Sequence, residues 1–378
     1  MRHFLLSLFA LAATCAAATA QSGDNLWLVV GSYGDVSAER IRVYELNQAN
    51  GSSRQVGAQG GIADASFQRA SRDGRFLYSV NESDLSADGK GNGDKAYAYA
   101  FDRSTARLTP LNSQPTEGRA PCNIWIDSRR RIAVTANYNG GSISAFPIAA
   151  DGSLQSPKVF HFKGGTPGSA RQEASHLHCV YASPDERYLF ANDLGTDRIY
   201  KYVLEEQAGT LSLRPGTPAY FSLPAGEGPR HAIFHPNGRW LYLLGELSGN
   251  VTLFNYEAGN LTPIQTIEAD SLHAAGSADI HITPDGRFLY ASNRLKGDGL
   301  AIFAIDPDTG RLRRIGYQHT GIHPRNFLIT PNGKYLLCAC RDSNLIQVFA
   351  IDPKSGLLRD TDRTIKVEKP VCLTLITP

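Results

Sequence analysis

Pro-Asp-Gly-Arg-Phe-Leu-Tyr, residues 284–290, is a tight turn running straight into an apolar strand, and the chain repeats it. The pattern recurs as Arg-Asp-Gly-Arg-Phe-Leu-Tyr (72–78), Asp-Ser-Arg-Arg-Arg-Ile-Ala (127–133) and Pro-Asp-Glu-Arg-Tyr-Leu-Phe (184–190). It returns as Pro-Asn-Gly-Arg-Trp-Leu-Tyr (236–242) and Pro-Asn-Gly-Lys-Tyr-Leu-Leu (331–337). The basic residues Arg75, Arg131, Arg187, Arg239, Arg287 and Lys334 stand 47 to 56 residues apart. A period of about fifty residues belongs to propeller blades or solenoid units.

Working outward from each turn gives the unit. A short apolar strand precedes it: Ser66–Ala70, Cys122–Ile126, His178–Ala182, His231–Phe234, Asp279–Ile282, Asn326–Ile329 and Val371–Ile376. The strand after the turn ends near Asn81, Asn137, Asn192, Gly245, Asn293 or Cys340. A third, alternating strand such as Leu300–Ile305 follows, then a turn such as Asp-Pro-Asp-Thr-Gly (306–310) and a fourth strand. Period-two alternation between Gly, Pro, Asn and Asp turns is a strand signal, and no segment has helical periodicity. Four antiparallel strands repeated seven times predict an all-β, seven-bladed β-propeller. Leu26–Tyr33 and Ile41–Leu46 match a second and a third strand, whereas Val371–Ile376 matches a first. The two ends therefore complete one blade and leave no free sheet edge. Length alone, at 378 residues, suggests two or three domains. The repeat predicts one, residues 21–378.

Residues 1–20 stand apart. Arg2 and His3 precede an apolar run from Phe4 to Ala13, and Ala18-Thr19-Ala20 is a small-x-small cleavage pattern. This predicts a signal peptide, a periplasmic or secreted protein, and no membrane span once it is cleaved. The remaining cysteines, Cys122, Cys179, Cys338, Cys340 and Cys372, are odd in number and scattered, which argues for buried structural thiols rather than a disulfide framework. With 38 basic and 36 acidic residues the chain has no electrostatic case for nucleic acid. No nucleotide-binding loop or Ser-His-Asp arrangement is visible; Gly-Asn-Gly at 91–93 falls in a polar insertion, residues 83–94. No cofactor is expected. His178, Glu246, Asp279 and His281 could converge, but no ligand spacing requires a metal. A monomer or weak dimer is expected.

Blade geometry locates the function. The first strand lines the central channel and the second runs antiparallel to it, so first-strand starts and second-strand ends share a face. Starts carry Asn123, Ser175, His176, His178, Arg230, His231, Asp279, His281 and Arg325. Ends carry Asn81, Glu82, Asn137, Asp193, Glu246, Asn293, Arg294 and Arg341. Asn and Asp at strand ends often fasten loops. Several His, Arg and carboxylates on one rim are harder to explain as packing, because buried charge must be paired or used. A small-molecule site is expected on this face. Gly-Gly-Thr-Pro-Gly-Ser-Ala (164–170), just ahead of His176, is placed to cover the rim.

The stretches PCNIWID (121–127), SHLHCV (175–180), GPRHAIFHPNGRWLY (228–242) with GELS (245–248), SADIHITPDGRFLYASNR (277–294) and HPRNFLITPNGKYLL (323–337) resemble the seven-bladed propeller lactonases, the family of propeller-type 6-phosphogluconolactonase and carboxy-cis,cis-muconate cyclase. The resemblance runs over residues 26–376. It implies a carboxylic-ester hydrolase of carbohydrate metabolism, with His178, Arg230, Glu246 and Arg294 as the catalytic set. His176 and His231 would accompany them, with Asn81, Glu82, Asn123, Asn137, Asp193, Asp279, His281, Asn293 and Arg325 around the substrate. The chain departs from the family at Asn123, Gly245, Asp279 and Cys340-Arg341, where His, Asn, Glu and Asn-Gln are usual. On this reading Glu246 deprotonates the attacking water, with His178 as proton shuttle or as the base itself, and the arginines hold the oxyanion. A muconate-type lactonising activity and a non-catalytic exported binding propeller are the other readings.

Overall fold

The computed structural model describes residues 23–83, 94–207 and 209–376. The leader expected at 1–20 and Gly-Asn-Gly at 91–93 lie outside the described residues. Twenty-eight strands form seven four-stranded antiparallel sheets, with one turn of 3-10 helix at Arg341–Ser343. The innermost strands are Ala65–Ala70, Pro121–Ile126, Leu177–Ala182, Pro229–Phe234, Ser277–Ile282, Pro324–Ile329 and Pro370–Ile376. Each begins one or two residues ahead of the sequence expectation. Pro370–Ile376 pairs with Asn25–Ser32, setting Trp27 against Ile376 and Gly31 against Cys372, so both ends of the chain close one blade.

The core is a ring of seams. Seven apolar clusters each bridge two neighbouring blades. In one, Tyr242, Leu244, Val251 and Leu253 pack on Ile280, Leu289, Ala291 and Phe303. The repeated turn motif serves these seams twice. Its Tyr hydroxyl donates across the seam to a turn carbonyl of the next blade: Tyr78 to Gly152, Tyr242 to Gly310 and Tyr290 to Gly356. Its first aromatic covers that same turn. Gly310 sits at φ +72° with its missing Cβ position 2.5 Å from the Trp240 ring, so only glycine fits there.

One irregularity sets up the channel. All seven innermost strands shift register against their neighbour near the start. A bulge of this kind re-aims side chains. The bulge residues include Cys122, His178, Arg230 and Arg325; Asn123, Cys179, His231, Asp279 and Asn326 belong to the next level down. Consecutive residues thus serve different layers of the channel.

Candidate active site

Glu246, just past the strand Trp240–Gly245, lies at the centre of the upper layer. Its Oε1 accepts from Arg171 Nη2 at 2.8 Å and Arg294 Nη2 at 3.1 Å; its Oε2 accepts from Arg230 Nε at 2.9 Å. Burial raises the pKa of this carboxyl, but Arg294, Arg230 and Arg171 together outweigh it and hold it at about 2. Arg230 and Arg294 are themselves anchored. Arg230 Nη1 donates to the carbonyl of Ala278 and to His231 Nε2; Arg294 donates to the carbonyl of Gly276 and to His323 Nε2. Burial, with Arg230 and Arg325 nearby, lowers Arg294 to about 9 despite Glu246, so it stays charged at neutral pH.

His178 Nε2 is 3.7 Å from Glu246 Oε2, and its Nδ1 faces Cys122 Sγ at 3.8 Å. Burial first, then Arg230, His231 and Arg325, push its pKa well below the usual value, so the imidazole is neutral. His323 follows the same logic, lowered to about 3 by burial and by Arg294. Tyr138 stacks on His176 with centroids 4.5 Å apart and meets His178 edge-on at 5.5 Å. Farther round, Glu82 accepts from Tyr33 Oη at 2.6 Å and Arg325 Nη2 at 2.8 Å. These groups form a continuous polar face: neutral His178, three arginines on one carboxylate, and a fourth arginine on a second.

The layer beneath is a plug. Asp279 is buried and accepts five hydrogen bonds: from His231 Nδ1 at 2.8 Å, the backbone N–H of Ile280 at 3.0 Å, His281 Nε2 at 3.1 Å, Asn326 Nδ2 at 2.6 Å and the N–H of Phe327 at 3.2 Å. Because His231 Nε2 accepts from Arg230, its proton resides on Nδ1 and points at Asp279. Burial and Arg230 lower His231 to about 4, against Asp279. A recess of about 790 Å³ opens on the opposite face, with Asn123, His231, Asp279 and Asn326 as its floor and turn residues such as Ser71, Gly74 and Pro284 at its mouth. Glu246 and its three arginine partners lie above the plug, away from this recess, and form the candidate site.

The expected residues therefore divide. His178, Arg230, Glu246, Arg294, Arg325 and Glu82 come together on one face, with His176 at its edge. His231 and Asp279 lie in the plug, and His281 faces the opposite recess. Asn123 accepts from the backbone N–H of Val180 within the channel wall. Asn81, Asn137, Asp193 and Asn293 are spent on local bonds: Asn81 with Ser83 and the N–H of Lys95, Asn137 with Ser142 and Ser144, Asp193 with Ser175 and the N–H of His176, Asn293 with Ser277 and the Ala269 carbonyl. His178 and Glu246 are in one layer while Asp279 and His281 are in another, and among the described residues no group of three or more His, Cys, Asp or Glu is arranged to hold a metal. Tyr33, Tyr138, Arg171 and His323 join the face without having been singled out. Tyr33 and Tyr138 each follow a second strand, as Glu82, Glu246 and Arg294 do, so the positional rule reaches them. Arg171 lies in an irregular loop, and no periodicity signals it.

The family model for "Lactonase, 7-bladed beta-propeller" matches residues 27–375. The chain belongs to the seven-bladed propeller lactonase family. It is 35% identical over 357 residues to the 6-phosphogluconolactonase of Formosa agariphila, covering 93% of this chain and 99% of the relative. A crystal structure from Bacteroides fragilis superposes with a TM-score of 0.88 at 46% identity, covering 93% of this chain and 98% of that one. The periplasmic gluconolactonase PpgL of Pseudomonas aeruginosa superposes with a TM-score of 0.87 at 34% identity, covering 94% and 100%. Among the described residues no helix is long and apolar enough to cross a membrane.

Proposed function

We propose that this lactonase-family propeller hydrolyses the ring ester of a sugar-acid lactone to the open-chain acid, on the face that carries Glu246. The observation that carries the reading is a buried carboxylate shared by three arginines beside a neutral histidine. Ester hydrolysis needs a proton acceptor for the attacking water and positive charge where the carbonyl oxygen becomes an oxyanion. Both oxygens of Glu246 are already committed to arginines, which leaves the acceptor role to the neutral imidazole of His178. In this reading His178 takes the proton as the water oxygen bonds to the carbonyl carbon, and Glu246 stabilises the imidazolium. Arg230 and Arg294 hold the oxyanion. When the ring C–O bond breaks, the leaving alkoxide takes the proton back from His178. Each such oxyanion donor is worth about 10²–10³ in rate and the base about 10²–10⁴.

The names of the relatives support a six-carbon aldonolactone as substrate, phosphorylated or not. The leader-like residues 1–20 and the periplasmic relative support export. The test is lactone opening followed by proton release in a pH-stat, with glucono-δ-lactone and its 6-phosphate. Glu246→Gln and His178→Ala should each cut kcat by about 10²-fold or more. Unaltered rates in both variants would remove the proposal.

A further inference from the structure

Three arginines bind Glu246, and they are not equivalent. The side chains of Arg230 and Arg294 are 2% and 6% exposed, and each is tied to a backbone carbonyl and a histidine as well. Arg171 is 45% exposed. Beyond Glu246 it reaches Tyr138 Oη at a long 3.5 Å. It stands on the irregular segment between the strands Lys158–His161 and Leu177–Ala182. That segment is folded tightly beneath it. The N–H of Thr166 donates to the Gln172 carbonyl, and the buried Gln172 side chain donates to the Leu194 carbonyl and to Asp197 Oδ1, both at 2.8 Å. At Gly165, φ +151°, a Cβ would lie 2.4 Å from the Glu173 carbonyl oxygen. The loop is thus pinned at the residue next to Arg171, while the long guanidinium arm reaches over the site half in solvent. Detaching it from Glu246 would break one strong hydrogen bond and uncover no core.

The charges around it are unbalanced. Arg171, Arg230, Arg294 and Arg325 face Glu82 and Glu246, four cations against two anions, and His178 and His323 are neutral. A site with surplus fixed positive charge favours an anionic ligand, and arginine forms planar forks with phosphate and carboxylate alike.

We infer that Arg171 is an exchangeable clamp: an anionic substituent of the lactone draws its guanidinium away from Glu246, so that the group that reads the substrate's charge also frees the carboxylate beside His178. The inference rests on the hydrolytic reading above and adds the group that tells lactones bearing a phosphate or a carboxylate remote from the ring ester from neutral ones. It makes Arg171 a specificity-determining residue. With the clamp released, Glu246 has two cationic partners in place of three and supports a proton on His178 better. A neutral lactone leaves the clamp closed.

The experiment compares wild type, Arg171→Gln and Arg171→Lys on three substrates: 6-phosphoglucono-δ-lactone, a glucaric acid lactone and glucono-δ-lactone. The readout is the ratio of kcat/KM for each anionic lactone to that for the neutral one. Arg171→Gln should lower the ratio about tenfold, the size of one charge-assisted bond at a half-exposed position, partly by raising the rate on the neutral lactone. Arg171→Lys should retain most of the ratio. A fall confined to the phosphorylated or to the carboxylated substrate identifies which anion is read. A ratio within twofold of wild type for both anions overturns the inference. If the wild type opens none of the lactones, the hydrolytic reading fails by itself. Titration calorimetry of 6-phosphogluconate, glucarate and gluconate on the same proteins then decides the clamp, with the same tenfold loss of anion preference expected and no loss overturning it.

Discussion

Asp279→Asn is the most direct test of the plug. The carboxylate takes two hydrogen bonds on Oδ1, from His231 and the N–H of Ile280, and three on Oδ2, from His281, Asn326 and the N–H of Phe327. An amide offers one acceptor oxygen in place of two, and its nitrogen only donates. With its nitrogen at the Oδ2 position it faces three donors; at the Oδ1 position it faces two. The second arrangement could be rescued only if His231 moved its proton to Nε2. That nitrogen already accepts from Arg230, so the new N–H would point at a guanidinium. Either way at least two buried bonds to a charged acceptor are lost, at about 1.5–3 kcal/mol each. Removing one partner of a buried ionic network costs about 3–5 kcal/mol, and the two figures agree. For a chain of this size that lowers the melting temperature by roughly 5 °C. The assay is urea denaturation at pH 7.5, followed by tryptophan fluorescence, for wild type, Asp279→Asn, His231→Phe and the double variant. The two substitutions should couple by about 1 kcal/mol or more, because each leaves the other's partner unpaired. A loss under 0.5 kcal/mol for Asp279→Asn, or strict additivity in the cycle, would refute this account of the plug.

Acid should destabilise the fold through its buried histidines, against the opposite contribution of Glu227, whose carboxyl burial raises to about 7. His231 falls from an unfolded value of about 6.5 to about 4, and His178 and His323 are lowered too, so between these limits the unfolded state binds more protons and stability drops as pH falls from 6.5 towards 4, by about 3 kcal/mol for His231 alone; urea midpoints at pH 7, 5.5 and 4.5 check it. Gly310→Ala should cost about 2–4 kcal/mol, because φ +72° and the Trp240 ring both oppose a side chain, whereas Gly226→Ala, at φ +80° with nothing within 4 Å, should cost about 1 kcal/mol; equal melting temperatures would sink the seam argument. Cys122, Cys179, Cys338, Cys340 and Cys372 are all buried and free, and they should resist a thiol reagent in the native protein and react on unfolding.

The sequence made the ring legible because a tight turn running into an apolar strand recurs around it. Three of the repeats add an aromatic and a tyrosine hydroxyl, at Tyr78, Tyr242 and Tyr290, and Tyr242 with Gly310 shows what that pairing is for. The polar face around Glu246 was legible where the blade rule was enough: Glu82, Glu246 and Arg294 at second-strand ends, His178, Arg230 and Arg325 at first-strand starts. It failed in two places for two reasons. Asn81, Asn137, Asp193 and Asn293 occupy the right positions but fasten their own blades, and a polar residue at a strand end looks the same in either role. Alternation alone puts His231 and Asp279 on the same rim as Arg230, because it does not reveal the register shift that separates them.

That shift also explains how a rigid ring presents a reactive face. In a regular strand Arg230 and His231 would point to opposite sides of the sheet. The bulge brings both into the channel, one above the other, where Arg230 Nη1 donates to His231 Nε2 and His231 Nδ1 donates to Asp279. The guanidinium that meets Glu246 is thereby fixed from below by a neutral histidine whose tautomer is set by a buried carboxylate. Two levels of one strand hold one cation, so stability and chemistry meet at Arg230. Substitutions at Asp279 should act first on folding and on the placement of Arg230, those at Arg171 on selectivity alone. The separation follows from depth: one is sealed under the site, and the other reaches it from outside.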